Sequence, residues 1–551
     1  MKYPTLTELG TSREMIDVFG GYNHNLRIGE GEFYDMKNLT SADYPVLSPR
    51  PHRGVYVPGN EAGTPEHPLA MLAKDALCYI DANADGKTAT FYINGKPIEF
   101  EGNNVISAES DMLPKRLVSM GSYVIIMPDK LYINTKDYGD KGKIEADFVA
   151  NTGVAHFYLS NLDGEHYSIP GEIVSPTPPE NPTNGQLWMD TSDEPHTLRQ
   201  YSSTNKQWVS IATTYIKIYF PNTTTDLTKV FSEGDGVTIS GITLGLGDGV
   251  IKEQLESLNT TTVIWKVTKD SIIVIGTSDG HAMMVLTPDS PITITRRMPE
   301  MDFVIESENR LWGCRYGTAI NGEVVNEIYA SKLGDFKNWN AFAGISTDSY
   351  VASVGTDGQF TGAITHLGHP LFFKENCVHK VYGNYPANYQ IQTTACRGVQ
   401  KGCSKSLAIV NETLYYKSRS AVCAYDGSLP VEISSALGEI SYSNATAGAL
   451  GNKYYISMEE TDGDYSLFVF DTKKGMWHRE DETHAQQFAY CDGELFYIDA
   501  STGDIMCTSG GVGEAIKWYA LLGEFNEYSD DKKIYSKVKV RMKLDAGARV
   551  T

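Results

Sequence analysis

The sequence predicts an all-β chain, a β-propeller of six or seven antiparallel blades interrupted by one or more inserted small β modules. Three observations carry this. From about residue 301 onwards an aromatic-rich strand, a Gly/Asp/Asn turn and a second strand recur, most plainly over 412–427, 451–471 and 492–506. Unit starts fall near 71, 117, 303, 363, 407, 449 and 487, and outside one long gap they lie about 40 to 60 residues apart, near the blade range. Tyr outnumbers Phe, 33 to 19, and there are 51 Gly. Tyr suits half-buried strands with an apolar body and a wet hydroxyl, and Gly suits tight turns. A small sheet with two apolar faces cannot bury both alone, so neighbouring sheets must stack.

Taken in order, residues 1–55 read as an extended N-terminal arm. The glycines of Phe19-Gly-Gly-Tyr22 and Gly29-Glu-Gly31 suggest turns between short strands, and Tyr44-Pro-Val-Leu-Ser-Pro-Arg50 is extended by its prolines. Residues 56–150 carry the first blades. Strands at 77–80 and 90–93 precede Asn94-Gly95, a strong short-range hairpin signal, and strands at 118–127 and 130–134 follow. Residues 151–300 break the repeat and read as an insertion. It has a proline-rich linker at 175–182, two Trp-bearing strands around Trp188 and Trp208, further strands from 217 to 295 and a helix near 250–258. Blades resume over 301–551. A last strand is expected at 532–544, and the pattern stops at Thr551 as in a chain cut short.

The charge balance, 47 basic against 69 acidic residues and a net of −22, argues against stable binding to nucleic-acid phosphates or anionic membranes, which need clustered cations. The densest basic run, Lys532, Lys533, Lys537, Lys539, Arg541 and Lys543, alternates as a solvated strand face would. The N-terminus shows no secretory h-region, and no run nears the ~20 apolar residues of a membrane span. The eight scattered Cys suit reduced core residues of a protein made in a cytoplasm. Asn38, Asn222, Asn259, Asn411 and Asn444 head glycosylation sequons, which matter only in a secreted chain.

Candidate chemistry is sparse. Asp81, Asn83 and Asp85, with Gly86, match the front of a calcium loop, but Tyr92 stands where the bidentate Glu belongs. An acidic hairpin turn is the simpler reading, with a weak surface cation as the alternative. His366 and His369 flank a glycine turn without a third ligand nearby, and Cys396 and Cys403 lack a second zinc-spaced pair. The turns at 245–249 and 398–406 lack the strand–turn–helix setting of a phosphate cradle. There is no Gly-x-Ser-x-Gly motif, and acidic residues are too many for a catalytic pair to be picked. Trp188 and Trp208 form either the core of a small β module or a sugar-stacking platform. No catalytic residue and no cofactor is expected.

Several stretches in a fixed order resemble the tail nozzle or packaged-DNA stabilisation proteins of short-tailed bacteriophages. They are 13–25 with 44–50, 327–339, 370–383, and 396–427 with its Leu414-Tyr-Tyr-Lys-Ser-Arg-Ser-Ala-Val-Cys-Ala-Tyr-Asp-Gly427. The Pro182-Thr-Asn-Gly-Gln-Leu-Trp-Met-Asp-Thr191 motif with Gln207-Trp208 is similar to a decoration module common in phage tail proteins. The likeness covers most of the chain outside about 215–300. It implies a virion tail protein, made in the host cytoplasm, that forms a ring of its own copies, usually a hexamer, below the portal and adaptor. That ring holds packaged double-stranded DNA and passes it on ejection, with no active site. An acidic lining would let DNA slide rather than stick. The alternatives are a carbohydrate-binding propeller or receptor-binding tail protein acting through Trp188 and Trp208, and a propeller glycoside hydrolase with two carboxyls about 5–9 Å apart.

Overall fold

A computed structural model describes residues 15–59, 68–100, 102, 104–108, 114–150, 154–167, 169, 173–193, 196–243, 250–278, 284–286, 291–318, 322–513, 515–523, 534, 536–544 and 548–550. Local hairpins set its architecture. In most blades a two-residue turn joins the first strand to the second. Glu308-Asn309, Leu367-Gly368, Asn411-Glu412 and Asp492-Gly493 all sit at positive φ, the primed turns whose twist matches that of the flanking strands. Asn94-Gly95 makes the same turn between Thr88–Ile93 and Lys96–Ile98, as the dipeptide predicts.

Seven antiparallel sheets of this kind form the blades. Blade 1 is Ala70–Ala73, Leu77–Ala82, Thr88–Ile93 and Ile106–Ser107, with Lys96–Ile98 alongside. Blade 2 is Arg116–Met120, Tyr123–Met127, Leu131–Asn134 and Lys141–Lys143. Blade 3 is Phe303–Ser307, Arg310–Thr318, Val324–Ala330 and Tyr350–Ser353, and blade 4 is Gly362–His366, His369–Lys374, Cys377–Tyr382 and Gln390–Ala395. Blade 5 is Ala408–Val410, Thr413–Lys417, Val422–Tyr425 and Val431–Glu432. Blade 6 is Ser443–Leu450, Lys453–Glu459, Tyr465–Asp471 and Met476–Arg479. Blade 7 is Ala485–Cys491, Glu494–Asp499, Ile505–Gly510 and, from the other end of the chain, Arg53–Val57.

First strands of successive blades touch around the circle, and the first strand of blade 7 returns to that of blade 1. Between blades 4 and 5 the contact runs through the short 3-10 turn Ser404–Ser406. The chain is therefore a seven-bladed β-propeller. Its core lies between blades. One apolar cluster joins blades 1 and 2 through Phe91, Ile93, Val124 and Ile126. Others join 2 to 3, 3 to 4, 6 to 7, and 7 to 1, the last through Tyr79, Phe496 and Ile498. A larger cluster links blades 4, 5 and 6 with the N-terminal residues Phe19, Tyr22, Phe33 and Met36.

Two expectations fail. Residues 15–55 are no mere arm. Glu32–Lys37 pairs with Gly21–Tyr22 and with Tyr519–Leu522, and Arg53–Val57 is the fourth strand of blade 7. The pairings with Tyr519–Leu522 and with blade 7 join residues hundreds of positions apart, so no local period announces them. The strand expected at 532–544 is also not seen. Residues 536–544 carry no secondary structure, and Lys532 and Lys533 lie outside the described residues.

Between blades 2 and 3 the described residues form three further sheets that pair only among themselves, beginning at Ala146–Val149, whose partner is Thr293–Arg296. The Trp-bearing strands Leu187–Asp190 and Gln207–Ser210 belong to one of them, yet Met189 and Leu198 share a single core with Phe148, Phe220 and Ile239 of the others. The helix is Val250–Glu256.

The ring is fastened by a buried ion cluster. Arg53 donates to Glu480 Oε2 at 2.7 Å and Asp481 Oδ2 at 2.9 Å, and Arg50 reaches the same Asp481 oxygen at 3.1 Å. Burial alone would push the Asp481 carboxyl up, but the two arginines hold it below the usual carboxylate range. Removing one partner strands the other charges out of water, at roughly 3–5 kcal/mol. Arg53→Ala should therefore lower the unfolding temperature sharply and speed protease cleavage within 15–59. Arg53→Lys should recover only part, because a point charge cannot replace the two-pronged contact. Thermal melts and timed proteolysis of the three proteins check this.

Candidate functional site

Most of the residues singled out by sequence are spent on structure. In the turn between Leu77–Ala82 and Thr88–Ile93, Asp85 accepts hydrogen bonds from the backbone N–H groups of Lys87 (2.9 Å) and Thr88 (2.8 Å) and from the Thr88 hydroxyl (2.7 Å). Asn83 donates to Thr88 Oγ1 and accepts from Thr90 Oγ1. Those hydrogen bonds, that of the Thr88 N–H first, hold the Asp85 carboxyl below its ordinary range. The oxygens a cation would need are thus the hairpin's own cap, and Asp81 lies on the strand before it.

His366 and His369 face each other across the Leu367-Gly368 turn but do not converge. Each ring is bonded to a different backbone carbonyl, His366 to Glu412 at 2.7 Å and His369 to Val381 at 3.1 Å. Cys396 and Cys403 are free thiols, and burial pushes Cys396 up to about 11. The turn at 245–249 lies outside the described residues. The 398–406 segment is the joint between blades 4 and 5. Lys417 donates to Gln400 Oε1 and, by its backbone, to Ser406 Oγ, and Tyr454 donates to the Ser406 carbonyl. A Cβ at Gly398 would sit 1.8 Å from the Lys374 carbonyl oxygen, so only glycine fits there.

Trp188 is 5% exposed and donates its indole N–H to the Ser175 carbonyl at 2.9 Å. Arg199, paired with Asp190, lies over its ring. Trp188 has no open face for a sugar. Trp208 stands edge-on to both Trp188 and Tyr201, at 5.4 Å in each case, and is half-buried. The platform reading therefore rests on Trp208 and Tyr201.

Sequence reasoning missed a buried polar cluster between blades 3 and 4. Lys374, 1% exposed, donates to Asn326 Oδ1 at 2.9 Å and to the Thr356 carbonyl at 2.7 Å, between the rings of Tyr316 and Phe360. His379 is bonded through both ring nitrogens, to Thr356 and Thr393 hydroxyls, each at 2.8 Å. Cys377 Sγ lies 3.9 Å from His379. A cysteine beside a histidine suggests a nucleophile, but a nucleophile needs a depressed thiol pKa and access. Here burial raises the Cys377 thiol and all three side chains are enclosed. The signal was present in the sequence, as a lysine and a histidine set in the apolar runs Phe372-Phe-Lys374 and Val378-His-Lys380.

A cleft of about 190 Å³ lies beside blade 5, lined by Lys417, Arg419, Glu432, Ser434, Glu439 and Tyr442 among others. Its charges are mixed, Lys417 is already bonded, and Glu432 pairs with Arg397. Among the described residues no three His, Cys, Asp or Glu side chains gather as a metal site, and no helix is long and apolar enough to cross a membrane.

No family model matches the chain, and no curated protein matches it. Solved structures do. The WD40 repeats of RRP9 match at 6% identity over 82% of this chain and 99% of that one, with a TM-score of 0.33. Apo AztD from Citrobacter koseri matches at 9% over 82% and 94%, with a TM-score of 0.25. The endosialidase of phage phi92 matches at 10% over 91% and 75%, with a TM-score of 0.26.

Two enclosed histidines give the fold an acid limit. Burial, and the Lys374 charge after it, lowers His379 to about 4. Burial, and Lys453 after it, lowers His478 to about 3, and neither His478 ring nitrogen has a hydrogen-bond partner among the described residues. Both are neutral when folded, whereas an unfolded histidine takes its proton near pH 6.5. Acidification below about 6.5 therefore protonates the unfolded chain first. Stability is full above that pH and falls as pH drops toward 4, by about 2 kcal/mol per histidine at pH 5. His478→Leu should remove close to half of the loss between pH 7 and pH 5, read as urea midpoints of wild type and variant at both pH values.

Proposed function

We propose that this chain is a structural protein of a bacteriophage tail. It assembles as a ring of its own copies next to a portal or adaptor and passes double-stranded DNA without holding it. The observation that carries this reading is the use made of the stretches that resemble tail nozzle proteins. Each is spent on a joint. Arg50 of the 44–50 stretch joins the Asp481 cluster and Asn38. In 327–339, Asn338 is fully buried and tied to Asp235 and to the Gly236 N–H of the insertion, and Trp339 donates to the Phe336 carbonyl. The 370–383 and 396–427 stretches build the Lys374 and Lys417 clusters that seat blades 3, 4 and 5. A chain selected to stay rigid while another molecule passes would spend its distinctive residues this way.

The charge supports the same reading. A net of −22 repels duplex phosphate, so a channel through such copies would be slippery and its closure steric. Negative-stain microscopy of the purified protein should show rings. Gel shift with linear duplex DNA at 150 mM salt, about physiological, should show no retardation. A monomer that retards DNA would overturn the proposal.

A second reading keeps the half-exposed Trp208 and Tyr201 as a glycan contact on the insertion. It requires binding on a glycan array that Trp208→Ala abolishes while the assembly state is unchanged.

A further inference from the structure

We propose that the outer strand of blade 4, Gln390–Ala395, pairs with the same strand of a second copy, so that two blades become one continuous sheet across a two-fold axis. An outer strand turns every second N–H and C=O away from its own sheet, which makes it a template for another strand. Folded chains blunt such edges, and the other blades of this ring do so. Blade 1 ends on the two residues Ile106–Ser107, and blade 5 on Val431–Glu432, as short and charged. Blade 2 ends on Lys141–Lys143, with a lysine at each end. Arg53–Val57 of blade 7 opens on a buried arginine and breaks register with its neighbour twice. Met476–Arg479 of blade 6 has the N-terminal strand Gly21–Tyr22 against it. Blade 3 stops after the four residues Tyr350–Ser353.

Blade 4 has none of these devices. Gln390-Ile-Gln-Thr-Thr-Ala395 is six residues long, without a charge, a proline or a glycine. It pairs with Cys377–Tyr382 at all six positions and has no bulge. Gln390, Gln392, Thr393 and Ala395 are exposed. Among the described residues no strand and no backbone hydrogen bond meets its outer side, and residues 322–513 around it are described without a break.

The chemistry of the strand selects the occupant. When a strand pairs antiparallel with its own copy, a charge near the axis faces the same charge, which is unfavourable. This strand has no charge to oppose, so two chains of net −22 can meet along it without setting acid against acid. For each sheet face to continue across the joint, the axis must pass at Gln392 or at Thr393. Either choice sets that residue against itself and Thr394 against a glutamine, pairs that hydrogen-bond across a sheet. No strand of the described residues is spare to compete, since each already lies in a sheet. The contact is isologous, so it makes pairs and neither rings nor filaments. It stands apart from the tail reading, because it would join two free chains or two rings alike.

The test uses full-length Gln392→Cys with a short bis-maleimide. A residue beside a two-fold axis cross-links to its own copy, so this single variant should give a covalent dimer well above wild type, whose eight native thiols supply the background. Light scattering then compares wild type with Gln392→Glu plus Thr394→Glu, which opposes acids across the joint. The double variant should have half the wild-type mass while keeping its circular dichroism and a cooperative melt. A cross-link no stronger than the wild-type background would overturn the proposal. So would a wild type with the mass of one chain, as when a segment of the same chain fills the edge, or a double variant that keeps the wild-type mass. Rings in negative stain are a separate result, which decides the tail reading and leaves this one untouched.

Discussion

No blade of this protein has a core of its own. The buried aromatic and branched residues of each sheet are shared with the sheet beside it, and every inter-blade interface is filled by one apolar cluster. The ring must therefore close before any blade is stable, because an open end would expose a full sheet face to water at about 25 cal/mol per Å². That requirement explains the N-terminal chain. By supplying the fourth strand of blade 7 and pinning it with Arg53, it ties the first strand of the ring to the last. Closure then depends on a pairing between residues more than 400 positions apart, whose loop entropy is repaid only when the whole circle forms.

The same constraint accounts for the buried cations. Where blades wedge together, loop carbonyls and side-chain amides are left facing an apolar interior, and an unmet carbonyl there is costly. Lys374, Lys417 and Arg310 reach into these seams. Arg310 caps the carbonyls of Ser331, Ser346 and Asp348, as Lys374 caps that of Thr356. Burial lowers the pKa of all three. Viewed one residue at a time such groups resemble catalytic lysines. Their partners, all backbone carbonyls or neutral amides and hydroxyls, show that they replace water in a seam.

What the sequence disclosed follows from range. Asn94-Gly95 and Asp492-Gly493 declare their hairpins because turn chemistry is decided within four residues. The blade period and the helix at Val250–Glu256 were legible for the same reason. The roles of Arg53–Val57 and Tyr519–Leu522 were not, since their partners lie across the fold. Trp188 and Trp208 were rightly placed on two strands of one small sheet, but their exposures differ because Ser175, from the linker, covers only one of them. Asp85 looked like a cation ligand because an acidic turn and a calcium loop share composition; only the direction of the Lys87 and Thr88 N–H groups separates them.

The insertion obeys the same economy. It could have swung on two strands, yet it is held by a third point of contact. Arg296 lies between Asp235 and the Ile144 carbonyl, and Asn338 of blade 3 donates to Asp235 and accepts from the Gly236 N–H. Lys332 closes on the Gly234 carbonyl. Asp235 and Arg296 are both buried, so neither tolerates the loss of the other. A Cβ at Gly236 would strike the Asn340 backbone at 2.4 Å, so the two parts meet backbone to backbone. Contacts of that closeness leave no room to slide. The insertion is therefore carried at a fixed angle to blade 3, and any surface it presents, Trp208 included, is presented in a fixed direction relative to the ring.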